Sequence, residues 1–373
     1  MLHNKIYQNF LIEILKTFFM ILLGLSLIAL TVRAVSFLDL IVDNGYPVLI
    51  YFKYSILNLF GIAPKFIPLS FLLALTIFII KHIQDSEFVI LWTSGIKKIN
   101  LVNLFTFISA IVLAFYLLLT SFITPIALNK SRQLLSNDTL NSFLPTVKKQ
   151  QFSDSFKGFT FIVEEKNDNT IRNIFLHDKG NNFTSLSSNA SKTNETTILA
   201  ENGLIQNQKM ILFNGQIISV NNNNENEIIK FEQLDVNLEN LRTTTIKSPK
   251  IQETSTLKLI SCFFKKINNK KFCNESFKKE ILPTLNRRIV IPFYIPVISV
   301  ICAFLLVNKK KIYFNRSIIF LYSFFLLLFT ELAVRYTGLN NFIMLLFIVI
   351  PFVLFFILYF FLILNFTNES KKI

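Results

Sequence analysis

A chain of 373 residues that is 52% hydrophobic, holds 42 phenylalanines and carries a net charge of +15 is no ordinary soluble domain; it reads as a membrane protein. The excess of lysine does not make it a nucleic-acid binder, because the lysines divide between short loops and an asparagine-rich segment without an aromatic stacking platform. No G-x-x-x-x-G-K-S/T occurs, which excludes a P-loop, and the three histidines, His3, His82 and His177, lie in unrelated segments, so no metal or catalytic cluster is expected.

In chain order, the first apolar stretch, Phe18 to Phe37, contains Arg33 and runs past it with no small-residue cleavage site, so a retained anchor is expected rather than a signal peptide. The second, Gly61 to Ile80, holds Lys65 between Pro64 and Pro68, prolines expected to open backbone carbonyls toward a cavity. Leu101 to Ile123, Ile289 to Val307 and Phe342 to Leu364 carry no charge, and Ser317 to Tyr336 carries Glu331 and Arg335. Each is close to the roughly 20 residues that cross about 30 Å of hydrocarbon. Six spans are expected, three on either side of a long polar segment. Lys5, Lys16, Lys81, Lys97, Lys98, Lys309 to Lys311, Arg316, Lys371 and Lys372 fall on one side, against Arg33 and Lys53 on the other. Both termini are therefore expected in the cytoplasm and the long segment outside it.

The stretch "KHIQDSEFVILWTSGIKKIN", residues 81 to 100, forms the first long inner loop. Asp85 suits an N-cap, Glu87 falls in the first turn, and Gly95 suits a left-handed C-terminal cap. That predicts a helix of about nine residues, about 14 Å long and too short to span. Phe88, Leu91 and Trp92, with Ser86 at the start, give it one apolar face. The face could rest on lipid headgroups or enter a groove on a cytoplasmic partner, and both readings stay open on spacing alone.

Beyond the third span, "FTFIVEE" from Phe159 alternates as a half-buried strand does, and "EIIKFEQLDVNL" repeats the pattern. Asn214-Gly215 and Asn202-Gly203 are expected as type I′ hairpin turns, with Asn221 to Asn224 as a solvated hairpin tip. The expected result is an antiparallel sandwich or roll from Gln150 to Leu241. Leu257, Ile260, Phe263 and Phe264 then have helical spacing in a basic connector, where Cys262 and Cys273 either pair or stay free; Cys302, in a span, reads as packing. The fold class is thus membrane α-helical plus all-β: six transmembrane helices in a 3+3 arrangement with an inserted, jelly-roll-like periplasmic antiparallel β domain. The expected division is 1–123, 124–286 and 287–373.

Pro64 and Pro68, then Asp85, Ser86, Glu87, Val89, Leu91, Ser94 and Gly95, then "NRRIVIP" at Asn286 to Pro292, resemble the lipopolysaccharide export permease family LptF/LptG along the whole chain. "KGFTFIVEEK", "IFLHD", "ILAENG" and "LFNGQI" are more similar to LptF than to LptG. The resemblance implies a permease subunit, not an enzyme, of an ABC-type transporter in the bacterial inner membrane that serves outer-membrane biogenesis. It further implies an LptG-like second permease, an LptB-like ATPase dimer docked on residues 85 to 95, and an LptC-like and LptA-like bridge receiving lipopolysaccharide. No cofactor is expected on this chain, ATP acting through the partner. For the exported lipid, Arg33, Lys53, Lys65, Arg287 and Arg288 are expected near the outer headgroup level, within reach of its phosphates. Glu331 and Arg335, at i and i+4, are expected to neutralise one another. The alternatives are the LptG paralogue, or an envelope scaffold or receptor that does not transport. A lipid-modifying enzyme would need clustered carboxylates, histidines or a nucleophile, and none is apparent.

Overall fold

Runs of leucine, isoleucine and phenylalanine too long for a soluble helix become, in the computed structural model, six helices of membrane-crossing length: Lys5–Ile41, Val48–Gln84, Lys98–Leu135, Glu280–Leu306, Ser317–Tyr336 and Phe342–Glu369. The structure describes residues 5–42, 46–137, 149–156, 158–167, 170–179, 193–206, 209–221, 226–237, 250–263, 275–307, 312–339 and 341–370. The expected hairpin tip at Asn222 to Asn224, Phe264, Cys273, Lys309 to Lys311, Lys371 and Lys372 lie outside them. By internal contacts the chain forms two units: Met1–Val32 with Ile56–Asn129 and Pro249–Ile373, and Arg33–Ser55 with Lys130–Ser248.

In the first unit, α1 (Lys5–Phe37), α3 (Val48–Gln84, after the single turn α2, Asp39–Val42), α5 (Lys98–Leu118) and α9 (Tyr294–Ala303) meet around Ile14, Phe18, Phe71, Leu75, Phe105 and Ile298. These side chains are fully buried, whereas Met20, Leu23, Ile28 and, on α11 (Asn341–Ser370), Phe356 and Phe360 are more than half exposed, as a lipid-facing surface requires. Lipid is as apolar as leucine, so the close fit of the packed face, rather than escape from water, holds the bundle together.

The fourth crossing is not one helix. Pro292 and Pro296 cannot donate to the ladder, and the chain passes from α8 (Glu275–Ile289) through a 3₁₀ turn, Ile291–Phe293, into α9. Two of the carbonyls near the break find donors on the third crossing, where α5 passes into a π turn, Leu119–Ile123, before α6 (Thr124–Asn137). Tyr116 Oη donates to Arg287 O at 3.4 Å and Thr120 Oγ1 to Arg288 O at 3.3 Å. Broken backbone at this depth persists because protein, not lipid, surrounds it.

The second unit carries six antiparallel strands in consecutive order: β1 (Ser153–Phe156), β2 (Phe159–Asn167), β3 (Thr170–Asp178), β4 (Thr193–Gln206), β5 (Lys209–Asn221) and β6 (Asn226–Asn237). The antiparallel insertion is as expected; the order is that of a meander, without a jelly-roll crossover among the described strands. The two Asn-Gly pairs correct the sequence reading, for neither turns the chain: Asn202-Gly203 lies within β4 and Asn214-Gly215 within β5.

They mark a crease. In β3 the buried residues are Ile171, then Ile174, Leu176 and Asp178; in β4 they are Thr196, Ile198 and Ala200, then Gly203 and Ile205; in β5, Met210 and Leu212, then Ile217 and Ser219. A strand alternates with period two, so each has changed face once. The change falls on one row of cross-strand partners, Glu165, Arg172, Asn202, Phe213 and Gln233, running from β2 to β6. At that row Asn173 and Asn214 adopt positive φ, 49° and 52°, the conformation asparagine tolerates best among residues with a side chain. Gly203 leaves room where a Cβ would come within 2.6 Å of Ile174 Cδ1, and at Gly215 a Cβ would collide with the Leu199 carbonyl and the Phe231 ring. Every buried member of the sheet's core, from Phe159 to Val236, comes from these strands. One sheet, bent along the crease, supplies both walls of its own interior.

Candidate functional site

The short helix between the second and third crossings is α4, Glu87–Thr93, seven residues long. Its start differs from expectation: the N-cap position is Ser86, at φ +58° and with no side-chain cap, not Asp85. Asp85 N–H still donates to Lys81 O at 2.9 Å, completing α3, which leaves the Asp85 backbone outside the cap geometry. The end is a Schellman turn. Gly95, at φ +92°, donates to Trp92 O and Ile96 to Leu91 O, each at 3.1 Å.

Phe88 is 1% exposed and stacks on His82 and Trp92, with Phe10 and Phe78 edge-on. The face expected to be presented, Phe88 with Leu91 and Trp92, is thus turned into the bundle. Val89 and Ile90, 51% and 66% exposed, are presented instead, beside Glu87. Periodicity could not separate these alternatives, because both sides of EFVILWT are apolar.

Charged contacts tie this region to four other helices. Glu13 Oε1 takes Lys81 Nζ at 2.8 Å, while Glu13 Oε2 and Glu87 Oε2 stand 3.5 and 3.2 Å from His82 Nε2. Lys98 Nζ donates to Glu369 Oε2 at 2.7 Å and to Leu306 O at 3.3 Å, and lies 4.6 Å from the centroid of the Trp92 ring. Sequence reasoning missed Glu13, His82, Lys98 and Glu369. Each lies on a different segment, and nothing in linear spacing brings them together.

At the start of the fourth crossing the two adjacent arginines diverge. Arg287 Nη2 pairs with Glu331 Oε2 at 2.9 Å, so the expected Glu331–Arg335 pair is replaced by one between helices; the rigid fork of Arg287 reaches a carboxylate that Arg335, exposed on the same helix as Glu331, does not engage. Arg288 is 5% exposed. Its Nη1 donates to Thr254 O and Thr256 Oγ1, at 2.9 and 3.0 Å, and its Nη2 to Gln252 O at 2.8 Å. This guanidinium clamps the turn Ile251–Glu253 and the start of α7 (Thr256–Phe263), and the phosphate contact expected of it gives way to that structural role. In the connector the inward residues are Leu259 and Cys262, against Ile281 and Leu285, while Leu257 is 74% exposed. Cys262 is disulfide-bonded; Cys302 is free and buried. Arg33, Lys53 and Lys65 are exposed, Lys65 with a partner of its own.

Among the described residues, six membrane-length helices interrupted by an antiparallel insertion, with a pinned seven-residue helix between the second and third, define a polytopic membrane protein. A model of the lipopolysaccharide export system permease family LptF/LptG matches residues 10–365, and the chain belongs to that family. It is a multi-pass inner-membrane permease of lipopolysaccharide export. Comparison with individually curated proteins gives no match.

Proposed function

We propose that this chain is the LptF-like permease of the exporter, paired with an LptG-like permease and driven by an LptB-like ATPase that docks on α4. The observation that carries the docking reading is the division of α4. Phe88 is locked among Phe10, Phe78, His82 and Trp92, and Val89 and Ile90 stand outward beside a half-exposed carboxylate. A helix anchored on one side transmits force applied to the other, whereas a loose one would absorb it.

In this reading both termini are cytoplasmic and the creased sheet is periplasmic, passing lipopolysaccharide to LptC-like and LptA-like partners. The disulfide at Cys262, next to the sheet in the chain, supports an oxidising compartment for that segment. Arg33, Lys53 and Lys65 contact lipid phosphates, with Arg287 held in readiness by Glu331. ATP acts only through the partner, and the chain binds no cofactor.

Co-purification from membranes tests the reading. The native chain should bring an ATPase and a second permease, and Ile90→Asp should lose the ATPase and keep the permease. Retention of the ATPase at native level by Ile90→Asp would refute docking on α4. Replacing Arg33 and Lys65 together by alanine should weaken lipopolysaccharide crosslinking while leaving ATPase recruitment intact; unchanged crosslinking would remove the phosphate assignment.

A further inference from the structure

His82 is 2% exposed at the inner end of α3, an unusual place for an imidazole unless its polar atoms are satisfied. Its Nδ1 lies 2.9 Å from Phe78 O, a carbonyl that can only accept, so Nδ1 carries a proton. Its Nε2 faces Glu13 Oε2 at 3.5 Å and Glu87 Oε2 at 3.2 Å, and ionised carboxylates also only accept. Both ring nitrogens therefore face oxygen acceptors. Phe78, Phe88 and Phe10, with centroids 4.0, 5.4 and 5.1 Å away, enclose the ring and suit a cation. Lys81 Nζ donates to the other oxygen of Glu13 at 2.8 Å.

We propose that His82 is a positioning residue that bridges Glu13 of the first membrane helix to Glu87 of α4, so that the first crossing moves with the docking helix. Phe88 holds α4 by shape and His82 holds it by the polar contact to Glu87. Its consequence for transport rests on α4 being the ATPase-docking helix; the bridge itself does not. The groups facing the imidazole are Glu13 from α1, Glu87 from α4 and Lys81 from α3, with Asp85 on the adjoining turn.

Nitroxide labels on cysteines introduced at Ile12 and Thr93, both exposed, in a Cys302→Ser background would read the separation of α1 and α4 in the full chain in lipid nanodiscs. The native distribution should be narrow. His82→Phe preserves the ring stack without the ring nitrogens and should be broad, as should Glu13→Gln, which removes one carboxylate and no aromatic contact. A narrow, native distribution in both variants would overturn the bridge and leave His82 a packing residue. In the reconstituted transporter, His82→Phe should still co-purify with the ATPase but release roughly tenfold less lipopolysaccharide per ATP hydrolysed. Native coupling in that variant would overturn the transport role. If the native chain recruits no ATPase, the docking reading fails while the label distances still decide the bridge.

Discussion

Arg287 and Arg288 are neighbours in sequence and end in different environments, which no residue-level rule distinguishes. Arg288 satisfies two carbonyls and a hydroxyl that would otherwise face the bundle interior. Arg288→Ala leaves them unpaired, and a loss of about 3 kcal/mol is expected from charge-assisted bonds of this kind. Thermal unfolding of the purified permease should register it, together with faster proteolysis within residues 250–263; native stability would contradict the clamp. Phe88→Ala should be costlier still, about 3 to 5 kcal/mol where the site cannot collapse, and should free α4 to protease attack. The caps of α4 were half legible: Gly95 is in the left-handed turn its lack of a Cβ permits, whereas Ser86 took the N-cap position because α3 runs on to Gln84.

At the scale of elements, the asparagine-glycine pairs show where sequence reading stops. Asn-Gly is the strongest short hairpin signal because both residues accept positive φ. Here Asn214 uses that freedom to let β5 change face in mid-strand. The clue was present in "MILFNGQIISV": Met210 and Leu212 alternate in one phase, Ile217 and Ser219 in the other. Whether such a shift means a turn or a crease depends on the partner strands, and these become known only with the register. The crease makes a paired prediction. Asn214→Gly keeps the conformation and should be tolerated, while Gly215→Ala forces a Cβ into the Leu199 carbonyl and the Phe231 ring and should expose β4 and β5 to hydrogen exchange. Equal protection in the two variants would contradict the bend.

At the scale of the whole molecule, the six crossings, their grouping and the inserted sheet were legible, because the need to satisfy backbone in hydrocarbon leaves few alternatives. The break in the fourth crossing was not read, the stretch Ile289 to Val307 being expected as one span despite Pro292 and Pro296; nor was its partner, the π turn at Leu119–Ile123, since "LTSFI" carries no breaker. Which face of α4 looks outward was also hidden, being decided by Phe10, Phe78 and His82 on two other helices. That orientation is the centre of the account. A photoreactive phenylalanine analogue placed at Ile90, and separately at Phe88, in the assembled transporter reads it directly. Crosslinks to the ATPase from position 90 and none from position 88 are expected; crosslinks from position 88, or none from position 90, would contradict it.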